Sequence, residues 1–145
     1  MTAGTLPAIR VPTGAALAAI LGATVTATAI WTAVAAAGID MTVRFGSGQP
    51  IHVTLLSVVI TALVAALAGW ALLGLLGRYT ARARAVWSVT AVVAALMSLA
   101  GPLIATAPAG TKASLMTMHL AVATVLILAL RRTTRGSAPG PGTRS

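Results

Sequence analysis

Residues 53–76 read VTLLSVVITALVAALAGWALLGLL, a run without one charged side chain. A helix rising 1.5 Å per residue needs about 20 apolar residues to cross a ~30 Å hydrocarbon core, so this run is long enough to span a bilayer. Its apolar residues form a block and not a 3.6- or 2-residue alternation, which leaves no face suited to water.

Three further blocks follow the same pattern on either side: GAALAAILGATVTATAIWTAVAAA at 14–37, AVWSVTAVVAALMSLAGPLIAT at 85–106 and ASLMTMHLAVATVLILAL at 113–130. Each is about 18–24 residues long and ends in Gly, Pro or charge. Only 8% of the chain is charged and 58% is hydrophobic. A soluble domain carries roughly a quarter charged residues, so there is too little polar surface here to cover a globule in water. The expected fold is all-α: an integral membrane four-helix antiparallel bundle over 14–132. The short connections at 77–84 and 107–112 force neighbouring helices to run antiparallel. A short N-terminal segment (1–13) precedes the bundle, and a Ser/Pro/Gly-rich tail (133–145) is expected to be disordered.

Charge sets the expected orientation. Arg10, Arg78, Arg82, Arg84, Arg131, Arg132, Arg135 and Arg144 fall on one side of such a bundle, against Arg44 and Lys112 on the other. Positive residues stay in the cytoplasm, so both termini are expected there, in the cell membrane, with the basic face beside anionic lipid. Tyr79 and Trp87 flank the cytoplasmic loop, where aromatic anchors would sit. A net charge of +9 would suggest nucleic acid in a soluble protein. With 3% aromatic residues and charges confined between the apolar blocks, no nucleic-acid partner is expected. The first block ends in small residues resembling a signal-peptide cleavage site, yet its apolar run far exceeds the ~7–15 residues of a secretory core, so an uncleaved helix is expected.

Lipid is as apolar as leucine, so small residues and interhelical hydrogen bonds must hold such a bundle together. Thr24, Thr28 and Thr32 form one stripe; Thr54, Ser57 and Thr61, continuing into Ala65, Ala68 and Gly69, form another. Both are expected to face the interior. Alanine is too abundant for small-xxx-small spacing to mark a dimer. The Gly101–Pro102 pair interrupts the third block about 6 Å from its outer end. Proline removes one N–H and clashes with the Ser98 carbonyl, which then needs another partner. His119 falls at similar depth, so a hydrogen-bonded outer layer is expected, with the imidazole near Ser98 and with Thr32, Ser57 and Thr61 alongside.

The chemistry-bearing residues are few. Asp40 is the one acid, and with His52 and His119 it has the composition of a facial metal triad. Asp40 and His52 lie in a Gly-rich connection, and pairing of Asp40 with Arg44 one helical turn on is a simpler account. No paired carboxylates, nucleophile–His–acid constellation, phosphate loop or zinc spacing occurs. Without cysteine there is no disulfide, thiol catalysis or cysteine metal site. No catalytic residue, cofactor or metal is therefore assigned. Asp40, Ser98, Pro102 and His119 form a candidate polar notch in the outer leaflet.

The segments WSVTAVVAALMSLAGPL and LMTMHLAVATVLILALRR, joined by a small-residue connection carrying TK, resemble an uncharacterised family of four-helix actinobacterial membrane proteins, known only as a domain of unknown function. The likeness runs from about Gly14 to Arg132, and SLAGPL and MHLAV are its most specific parts. It implies a four-helix plasma-membrane protein and no activity. The expected role is non-enzymatic, as an accessory or assembly subunit of a membrane complex or in a homo-oligomer. The alternative is a small transporter or ligand-binding membrane protein that uses the notch.

Overall fold

A computed structural model describes residues 13–80 and 82–133. The elements in chain order are α1 (Thr13–Ala36), β1 (Thr42–Val43), β2 (Ile51–His52), α2 (Leu55–Tyr79), α3 (Ala83–Ser98), α4 (Ala100–Ile104) and α5 (Ala109–Thr133). Four helical stretches, with α3 and α4 counted as one, are long and apolar enough to cross a membrane. α1 packs beside α2 and α5, and α3 beside α2 and α5, which closes a four-membered ring.

Burial is inverted relative to a protein built for water. On α1 the buried residues are Ala16, Ala19, Ile20, Ala23 and Ala27, while Leu17, Leu21 and Val25 are 54–65% exposed. On α2, Leu56, Ile60 and Val64 also point outward, and Ala62 and Ala66 point in. Small residues let backbones approach, and large apolar ones are best solvated by lipid. This arrangement makes the chain a multi-pass membrane protein. It also corrects the threonine stripe of α1. Thr32 is exposed and donates to the Thr28 carbonyl, and Thr24 donates to the Ile20 carbonyl, both within their own helix. The alanines take the inner face because a methyl group occupies less of the helix–helix gap than a hydroxyl-bearing branched side chain.

The two ends of the bundle differ. At one, α1 stops in a Schellman motif: the Gly38 N–H reaches the Ala35 carbonyl and the Ile39 N–H the Val34 carbonyl. Gly38 has φ +71°, a backbone region that side chains with a Cβ enter only at a cost. The chain then forms an antiparallel hairpin, with Thr42 opposite His52 and Val43 opposite Ile51. Arg44 extends the pairing by exchanging backbone hydrogen bonds with Thr106, in the connection between α4 and α5. Met41 and Val43 bury into the bundle beneath, against Ala27, Val58, Ala105, Leu115 and Met118. Trp31 donates its indole N–H to the Val53 carbonyl at 2.9 Å, and the buried Thr111 hydroxyl donates to the Asp40 carbonyl at 2.6 Å. We call this the hairpin end.

The opposite end carries Arg78, Arg82, Arg84, Arg131 and Arg132 and is the arginine end; Arg10, Arg135, Arg144 and most of the expected N-terminal segment and tail lie outside the described residues. Its core is Ala19, Leu73, Trp87 and Leu130. Trp87 is buried and donates its indole N–H to the Gly69 carbonyl at 2.9 Å, so it is a packing residue and not an interfacial anchor. One turn into α3 is deep enough to place it between helices. Tyr79, by contrast, is exposed.

Candidate functional site

Proline chemistry shapes the hairpin-end half of the third span. Because Pro102 has no N–H, α3 ends at Ser98, and the Leu99 N–H turns to Leu96, three residues back. A single helical turn, α4, resumes and ends at Ile104. Lys112 Nζ donates to the Leu103 carbonyl at 3.3 Å, placing a cation at that helix C-terminus. Pro102 itself is buried.

Alongside this break lies a cleft of about 760 Å³ between α2, α3 and α5. It is large because small residues line it where helices would normally interlock. α2 contributes Thr61, Ala65 and Ala68, and α3 contributes Ala91, Ala94 and Ala95. Thr61, Ala65, Ala68, Ala94 and Ser98 are exposed, so the cleft opens sideways between α2 and α3. α5 forms its back wall with Met118, His119, Val122 and Leu126. Trp87, Leu72 and Leu130 line the arginine end, and Phe45 and Ile51 of the hairpin line the other. The Ser57–Thr61–Ala65–Ala68 stripe thus faces the space between helices as expected, but that space is left unfilled.

The polar atoms of the cleft concentrate towards the hairpin end. Ser57 Oγ donates to the Thr54 carbonyl at 2.7 Å, and Ser98 Oγ donates to the Ala95 carbonyl at 2.7 Å. His119 is half-buried, with Nδ1 2.7 Å from the Leu115 carbonyl. A carbonyl only accepts, so Nδ1 carries a proton, and in the Nδ1–H tautomer Nε2 is an acceptor. His119 therefore bonds within its own helix and not to Ser98, which corrects the expected imidazole–serine pairing. In a helix the carbonyl four residues back is always within reach of such a side chain, whereas a partner on α3 requires the two helices to close.

Of the four notch residues, Ser98, Pro102 and His119 line this cleft. Asp40 does not: it lines a separate hollow of about 380 Å³ at the hairpin end, with Thr42, Arg44 and Thr106. Residues 40–44 are extended, so Asp40 and Arg44 lack the helical register proposed for them. The Asp40 carboxylate accepts from the Thr42 hydroxyl at 2.6 Å, and His52 Nδ1 lies 2.8 Å from that same oxygen. The hydroxyl has one proton, given to Asp40, so Nδ1–H of His52 donates to it. Sequence reasoning missed Thr42 as the link and Thr111 as the tie to α5; alternation in MTVRF and PIHV around Gly46–Gly48 was the available hairpin signal. Among the described residues no three metal-ligating side chains come together.

No curated protein matches the chain, and no solved structure does. One family model covers residues 7–136, nearly all of the four-helix unit just described. The chain belongs to the family of unknown function DUF6069.

Proposed function

We propose that this chain is a non-enzymatic protein of the cell membrane that holds an apolar molecule in the lateral cleft between α2 and α3. The cleft carries this reading: its volume falls within the ~300–1,000 Å³ of small-molecule sites, and its walls are apolar with a few polar groups. Both termini are cytoplasmic and the hairpin faces outward, a reading supported by the arginines gathered at one end against Arg44 and Lys112 at the other. The arginine face then lies beside anionic lipid. Ligand enters from the outer half of the bilayer, without leaving hydrocarbon.

Photolabelling tests this directly. A long-chain alcohol with a diazirine in its chain, incorporated in lipid nanodiscs, should label α2, α3 and α5 saturably. Ala94→Trp, which fills the cleft, should remove the labelling while the protein still inserts; labelling that survives the substitution sinks the reading. Composition alone favours an accessory subunit, and one observation keeps that as a second reading: Ala65, Ala68, Ala91 and Ala94 are the small residues that close helix packing uses. There a partner's helix fills the cleft. A stoichiometric partner in a mild-detergent pull-down, lost with Ala94→Trp, would favour it.

A further inference from the structure

Helix geometry gives the cleft a bias in hydrogen bonding. The Ser57 and Ser98 hydroxyls and, deeper, Thr90 each donate their proton to a carbonyl three or four residues back in the chain. His119 does the same through Nδ1. Each of these residues lines the cleft with its proton already committed, so what it has left to offer is an acceptor: a hydroxyl oxygen keeps lone pairs, and the Nδ1–H tautomer of imidazole keeps Nε2. Thr61 alone among these polar residues has a hydroxyl free to turn either way. Ser57, Thr61, Ser98 and His119 lie towards the hairpin end, and below them the walls run through Ala65, Ala68, Ala94 and Leu126 with few polar atoms.

We infer that the cleft selects an amphiphile that brings its own hydrogen-bond donor, a neutral long-chain alcohol, with its hydroxyl at His119 and Ser98 and its chain directed towards Trp87. This rests on the ligand-binding reading above and adds its chemical class. An ether or ester of equal length offers only acceptors, which at His119 and Ser98 would face acceptors across an apolar space; Thr61 is the one of these hydroxyls that could donate to them. A donor there satisfies Nε2 or Oγ in surroundings where water does not compete. One such hydrogen bond corresponds to about a tenfold difference in affinity. The orientation also matches a molecule arriving from the outer half of the bilayer, polar end at the surface and chain towards the middle.

The experiment is displacement of the diazirine alcohol from the full-length protein in nanodiscs, by hexadecanol and by its methyl ether at equal mole fraction in the bilayer. Hexadecanol should displace the label at about a tenfold lower mole fraction than the ether. His119→Phe should bring the two competitors together, and Ser98→Ala, which leaves the ring in place, should narrow the gap. Saturable labelling displaced equally by alcohol and ether overturns the donor rule and leaves the cleft as a site for apolar molecules in general. Discrimination that persists in both variants also overturns it, because the selecting acceptors then lie elsewhere. Absence of saturable labelling in the unaltered protein overturns the ligand-binding reading itself.

Discussion

Two alanine-rich surfaces of this protein have opposite fates. Along α1, Ala16, Ala19, Ala23 and Ala27 are no more than 2% exposed, pressed against neighbouring helices, with α5 the principal one. Along α2 and α3, Ala65, Ala68 and Ala94 stand open to a cleft. The residue type is the same, so the difference lies in what surrounds it. The α1–α5 seam is tied by Thr111 to the Asp40 carbonyl, and Gly22 lets the Val125 side chain approach. Between α2 and α3, the Trp87 indole is set at the arginine end, and the Pro102 break redirects the other end. Small residues permit close approach; wedges and ties decide whether it happens.

Substitutions can break or sharpen that comparison. Trp87→Ala should have the largest effect, about 3–5 kcal/mol of lost stability, read as a lowered unfolding midpoint in detergent. A small effect would mean that the indole and its bond to Gly69 do not set the α2–α3 spacing. Next comes Ala23→Leu, on a fully buried position of the seam, with a loss of about 1–3 kcal/mol from overpacking. Ala94→Leu in the cleft adds the same atoms where space exists and should stay within about 0.5 kcal/mol. Equal costs for the two leucines would erase the distinction between seam and cleft. Thr111→Val should cost about 1 kcal/mol, because the Asp40 carbonyl loses its donor. His119→Phe should likewise stay within about 0.5 kcal/mol, since the ring bonds only to its own helix. A large loss from His119→Phe would restore a structural role across helices.

Much of the candidate site was legible in the sequence. Ser98, Pro102 and His119 line one cleft, and because helical rise is fixed, counting residues from the ends of two antiparallel spans already places all three in the hairpin-end half of the bundle. Asp40 was misplaced for the converse reason: a Gly-rich connection has no fixed rise, and its hairpin register depends on Met41 and Val43 finding the bundle below. Trp87 was misread because position along a span does not reveal which way a side chain points.

Sequence alone determined the number of spans, their antiparallel order and the asymmetry of charge, since charge-free length and the arginines are properties of the chain itself. Pro102 likewise carried its helix break with it, because a missing N–H needs no neighbour to act. Only the tertiary structure decided which alanines would be buried, that the hydroxyls and imidazole would turn to their own helices, and that a cleft would remain. Those outcomes depend on the distance between helices. In lipid that distance is set by close contacts and a few ties, not by a general drive to hide apolar surface.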